Sequence, residues 1–103
     1  MSKVYSFGRM KIKDYAAYLN QYGMPFQKIL KKYNGKVLAA TKKGVVVEGK
    51  EEGNWTVLIE FENGKDAFDF YASDEYAPLK KRRLEELTDT ALAISFPAEI
   101  PNE

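Results

Sequence analysis

The chain has 103 residues, 45 % of them hydrophobic and 14 % aromatic, with sixteen basic against fifteen acidic side chains and a net charge of +1. That length fits one domain, and the near balance of charge supplies no long-range field for nucleic acid or an acidic membrane surface. The chain contains no His and no Cys, which excludes a thiol nucleophile, Ser–His and Cys–His pairs and an ordinary zinc site, and leaves acid–base work to Asp, Glu, Tyr, Lys or Arg.

Residues 3–10 alternate, with Val4, Ser6 and Gly8 on one side and Tyr5, Phe7 and Arg9 on the other, which predicts a first strand. Asp14 stands where a helix N-cap belongs. After it, Tyr15, Tyr18, Leu19, Tyr22, Phe26, Ile29, Leu30 and Tyr33 form a continuous helical stripe. Gly23 and Pro25 interrupt this helix, and proline is expected to push Met24 out of α geometry. Because the stripe keeps its phase, one kinked helix is predicted, ended by Asn34-Gly35.

Two short β-rich runs follow, residues 36–41 (KVLAAT) and 45–49 (VVVEG), as one long bent strand or as a hairpin. The clearest strand spans residues 55–62, with Trp55, Val57, Ile59 and Phe61 facing one way and Thr56, Leu58 and Glu60 the other. Asn63-Gly64 opens a second helix carrying Ala67, Phe70 and Tyr71. Ser73-Asp74 is a fresh cap within it, and Pro78 is tolerable only in the first turn of the second piece. Residues 90–96 alternate as the last strand, and Pro97 and Pro101 mark a short tail.

The order βαββαβ predicts an α+β, ferredoxin-like domain over residues 1–97, with 98–103 as a tail. Two crossovers of the same hand place both helices on one face of a four-stranded antiparallel sheet. The other face then exposes Leu58 and its apolar neighbours, so a homodimer packed sheet against sheet is expected. No apolar run reaches the roughly twenty residues of a membrane span. The first ten residues lack the pattern of a signal peptide, so a cytoplasmic protein is expected.

Taken together, Tyr5, Arg9, Asp14 and Tyr18, the Tyr33-Asn34-Gly35-Lys36 loop, Glu48-Gly49, Val57-Leu58-Ile59-Glu60-Phe61, Ala67, Phe70-Tyr71, Ser73, Glu75-Tyr76 and Arg83 resemble a known pattern. It is that of the domain of unknown function 1330 family (DUF1330) in the dimeric α/β-barrel superfamily. The resemblance implies a ferredoxin-like protomer and a barrel-like dimer. It implies no single activity, since the superfamily includes cofactor-free oxygenases and isomerases.

The ligand-binding candidates are Arg9, Tyr18, Glu60, Tyr71, Tyr76 and Arg83; no catalytic residue and no metal ligand is assigned. Arg9 and Arg83 carry guanidinium groups suited to a shared anion. The alternative for Arg83 is a pair with Glu60 or Glu75, or a place over the core. Glu60 is either a carboxylate with a raised pKa or an ion-pair partner across a dimer interface. Tyr15, Tyr18, Tyr22, Tyr71 and Tyr76 present hydroxyls either to a cavity between helices and sheet or to solvent at the core's edge. Trp55 reads as packing.

Lys80-Lys81-Arg82-Arg83, with Glu85 and Glu86 behind it, reads as a solvated helix face. The functional expectation is a small dimer that binds or transforms a small organic acid without a cofactor. A dimer with no ligand is the alternative. An RNA-recognition domain of the same strand order is a further one, although the basic-aromatic consensus of its third strand is absent and no nucleic-acid partner is expected.

Overall fold

The computed structural model describes residues 2–101. Its strands are β1 (Val4–Ile12), β2 (Gly35–Thr41), β3 (Trp55–Phe61) and β4 (Thr88–Pro97), and its helices α1 (Tyr15–Tyr18), α2 (Met24–Lys32), α3 (Gly64–Tyr71) and α4 (Ala77–Arg82). The sheet order is β2-β3-β1-β4 and every neighbouring pair is antiparallel. This is the expected ferredoxin-like arrangement.

Two of the expected caps form. Asp14 accepts from Ala17 N at 3.1 Å and Asn63 from Asp66 N at 2.8 Å. Ser73 Oγ accepts from Tyr76 N at 3.1 Å, but it holds the turn ahead of α4 and does not cap the helix, whose N-cap Tyr76 has no side-chain cap bond; Pro78 lies in the first turn of α4. The first helix is continuous from α1 through α2, joined by a π-helical turn, Leu19–Gly23. Met24 remains in α geometry (φ −71°, ψ −49°) and donates to Leu19 O, five residues back. The wider π turn gives the Pro25 ring the room that an α turn denies it. Pro25 has no N–H to offer Gln21 O, and that carbonyl accepts from Arg82 Nη1 at 3.0 Å.

At the other end Asn34, not Gly35, takes the left-handed conformation (φ 58°). Gly35 serves close approach: a Cβ there would lie 2.9 Å from Phe61 Cε1 and collide with Leu30. The strand face of Trp55, Val57, Ile59 and Phe61 is buried against the helices, with Phe61 only 1 % exposed. Burying one such phenyl group contributes about 2–3 kcal/mol.

Neither arrangement open for residues 36–49 occurs beyond Thr41, and 45–49 form no strand. Val45 and Val47 are 81 % and 90 % exposed, so their alternation finds no surface to cover. Arg9 ties down the far end of this irregular segment. It donates to Glu51 Oε1 at 2.8 Å, Gly53 O at 2.6 Å and Thr56 Oγ1 at 2.6 Å. A Cβ on Gly53 would stand 2.7 Å from Arg9 Nε, and one on Gly44 3.1 Å from Arg9 Nη1. β4 runs to Pro97, which pairs with Val4, and Ala98 N donates to Lys3 O at 2.8 Å, so the sheet extends past the expected end of the last strand.

Candidate functional site

The register of β1 decides where the domain is hollow. Ser6 pairs with Ser95 and Gly8 with Ala93, and all four lie on the helix-facing side of the sheet, in phase with Ile59 and Val57. Small side chains there leave the helices without a floor to pack on. Ala93 and Ser95 are solvent-exposed even though they face the helical layer. A cavity of about 750 Å³ lies between sheet and helices and opens beside β4, within the size range of small-molecule sites.

Its walls are aromatic. Tyr22 stacks on Phe26 at 5.2 Å between centroids, Phe26 meets Phe70 edge-on at 5.7 Å, and Phe70 lies 4.5 Å from Tyr76. The Tyr22 and Tyr76 hydroxyls are 2.6 Å apart, in a buried hydrogen bond. Trp55 meets Tyr18 edge-on at 6.0 Å, and its Nε1 is buried with no hydrogen-bond partner.

One cation stands in this wall. Arg83 is 3 % exposed, its guanidinium carbon is 5.7 Å from the centre of the Tyr22 ring, and its Nε has no acceptor. Among the described residues no carboxylate forms an ion pair with it, and none of the residues lining the cavity is Asp, Glu or Lys. Arg83 opens a second π-helical turn, Arg83–Leu87, whose first carbonyl accepts from Thr88 Oγ1 at 2.8 Å. Each helical layer therefore delivers a cavity residue from a π turn, Tyr22 from the first and Arg83 from the second. Burial lowers the proton affinity of the Arg83 guanidinium, but electrostatic attraction to Tyr22, Tyr76 and Tyr71 and a hydrogen bond to Tyr76 outweigh it and the net shift is upward. Burial pushes the Tyr18 and Tyr22 hydroxyls well above their ordinary range, against the opposing pull of Arg83.

The sequence candidates divide between the two sides of the sheet. Tyr18, Tyr71, Tyr76 and Arg83 line the cavity. Arg9 and Glu60 are on the opposite face, paired in register with Thr56 and Tyr5 respectively. Arg9 and Arg83 thus do not converge, and neither carboxylate considered for Arg83 reaches it: Glu60 pairs with Lys3 at 3.2 Å and Glu75 with Lys32. In the basic run, Arg83 alone is buried. Sequence reasoning assigned Trp55 to packing and overlooked the small floor residues; four small side chains in phase on β1 and β4 were the available signal.

The outer face carries an apolar surface, but strand β4 supplies its exposed part, while Leu58, expected to be exposed there, is half-buried. Leu92, Ile94 and Phe96 are 52 %, 49 % and 41 % exposed, and they pair across β1 with Arg9, Phe7 and Tyr5. No helix of the described residues is long and apolar enough to cross a membrane.

The sequence matches the domain of unknown function DUF1330 over residues 3–95. The chain belongs to the DUF1330 family. No curated protein matches it. A structure of a protein of unknown function from Rhodopseudomonas palustris superposes with a TM-score of 0.78 at 13 % identity, over 97 % of this chain and 85 % of the other. A Bacteroides fragilis protein, described as dimeric and ferredoxin-like, gives 0.61 at 16 % identity over 92 % and 95 %. A candidate antibiotic biosynthesis monooxygenase from Nitrosomonas europaea gives 0.58 at 11 % identity over 93 % and 96 %. At these identities the likeness establishes the fold.

Proposed function

We propose that this DUF1330 chain binds a small organic acid in the cavity, with the carboxylate on Arg83 and the apolar body among the aromatic rings. The observation that carries this reading is a guanidinium 3 % exposed, with no carboxylate partner among the described residues and a free Nε, in the wall of a largely aromatic cavity. A buried charge without a carboxylate partner costs several kcal/mol, and a ligand carboxylate arriving in the cavity would offset that cost. The unused Nε edge of a guanidinium is one side of the fork that holds two carboxylate oxygens. The cofactor-free chemistry expected from the sequence would have to run on tyrosine hydroxyls and Arg83.

The same reading makes the protein a homodimer closed through the outer sheet face. Leu92, Ile94 and Phe96 supply the apolar surface, and the dimeric Bacteroides fragilis neighbour supports it. Calorimetric titration with benzoate and cyclohexanecarboxylate, beside their uncharged amides, tests the ligand class. Binding of the acids and not of the amides is expected; equal binding, or none, refutes it.

A further inference from the structure

Two N–H donors in the cavity wall are buried without an acceptor and no carboxylate among the described residues lines the cavity, and this bears on the protonation state of a ligand. The inference rests on the cavity being a ligand site. Arg83 Nε and Trp55 Nε1 lack acceptors. Tyr22 and Tyr76 share a single hydrogen bond, so two hydroxyl protons serve one contact and one is left over. The Ser6 and Ser95 hydroxyls occupy each other.

The titratable groups facing the cavity are Tyr15 and Tyr18 from α1, Tyr22 from the first π turn, Tyr71 from α3, Tyr76 ahead of α4, and Arg83 from the second π turn. The strands contribute no charged side chain to it. Arg83 is the one basic side chain among the titratable groups.

We infer that the cavity takes weak oxygen acids, phenols and enols, as their anions, so that a ligand neutral in solution ionises on binding. The ligand O–H bond breaks with its electron pair left on oxygen. The proton passes to solvent at the mouth beside β4, because the lining holds no carboxylate or amine to keep it.

Two effects compete for the sign. Transfer of an oxyanion into an apolar site disfavours the charged form, whereas an adjacent cation and hydrogen-bond donors favour it. Here the cation is dehydrated before the ligand arrives, since Arg83 is buried in the folded protein. A neutral ligand would leave that charge uncompensated, and an oxyanion neutralises it. The donor set is also assembled in advance, so little reorganisation offsets the gain.

A nitrophenol, whose phenolate absorbs in the visible, is the probe. With saturating protein its ionisation is expected to move down by about one pH unit or more. Benzoate should displace it and restore the free titration. Arg83→Met should abolish the shift, and Arg83→Lys, which keeps the charge, should retain part of it. A bound, benzoate-displaceable probe that ionises at or above its free value overturns the inference and leaves the cavity reading intact. If neither nitrophenol nor benzoate binds, the cavity reading falls and takes the inference with it.

Discussion

Replacing Arg83 by Met separates a structural from a ligand-binding role, because the two predict opposite signs. Met keeps an unbranched apolar stem in the space of the arginine stem and removes the charge. Arg83 is 3 % exposed with no ion pair, so folding bears the cost of dehydrating it with only neighbouring tyrosines, and no carboxylate, to offset that cost. Exchange of a whole buried ion pair for apolar residues of similar volume is often neutral or stabilising by about 1–4 kcal/mol, and Arg83 has no carboxylate partner among the described residues to leave stranded. Loss of the contact with the Tyr22 ring, 5.7 Å away, subtracts about 1 kcal/mol. The net expectation is a ligand-free protein more stable by about 1 kcal/mol, which raises Tm by about 5 °C in a domain of this size.

Benzoate affinity should fall in the same variant. Truncating one side of a buried charged hydrogen-bonded pair costs about 2–5 kcal/mol, and about 3 kcal/mol is over a hundredfold in Kd. Scanning calorimetry at fixed protein concentration and titration calorimetry read the two quantities. A variant that melts about 5 °C lower and binds benzoate unchanged would refute the reasoning and make Arg83 a structural residue.

Ala93→Trp should fill the cavity floor from the exposed side, weakening benzoate binding at least about tenfold while shifting stability by under about 1 kcal/mol; unchanged binding would put the ligand elsewhere. Ile94→Asp, at the centre of the outer apolar face, should turn a dimer into a folded monomer by light scattering with an unchanged far-ultraviolet spectrum. Gly35→Ala should destabilise by about 1–3 kcal/mol in guanidinium denaturation, since its Cβ has no space between Leu30 and Phe61; a neutral result would mean the strand shifts freely.

The Arg9 clasp should respond to acid. The hydrogen bond from Arg9 holds the Glu51 carboxyl below its ordinary value of 4.5, aided by Gly53 N. A depressed native pKa gives stability that is present above pH 4.5 and lost as pH falls through the lowered value. The Glu51 carboxyl resonance should therefore titrate below pH 4.5 and move back toward the ordinary value in Arg9→Gln.

The features legible in the sequence are those that local physics controls. Asp14 and Asn63 act through N–H groups three residues away, so a helix start can be read from a few letters. The stripe from Tyr15 to Tyr33 and the alternation from Trp55 to Phe61 report which side chains are buried, because periods of 3.6 and 2 repeat within one element. The unpartnered outer face follows from strand order, since two right-handed crossovers leave it bare.

The site was less legible because its members meet only through long-range pairing. Alternation of Val4, Ser6 and Gly8 marks a strand, but it does not say that Ser95 and Ala93 will lie opposite them and leave a floor without side chains. Arg9 and Arg83 look alike in the sequence; the sheet separates them, giving one a clasp of Glu51, Gly53 and Thr56 and the other a cavity wall. The π turns that present Tyr22 and Arg83 depend on how each helix settles against its neighbours, as where Arg82 takes the carbonyl that Pro25 leaves free. By itself the sequence determined the elements, the buried stripes and the absence of thiol and imidazole chemistry, because each is a property of residue type or of spacing within one element. Only the tertiary structure decided that the domain is hollow and that Arg83 is its unpaired charge, because both depend on which distant side chains are brought face to face.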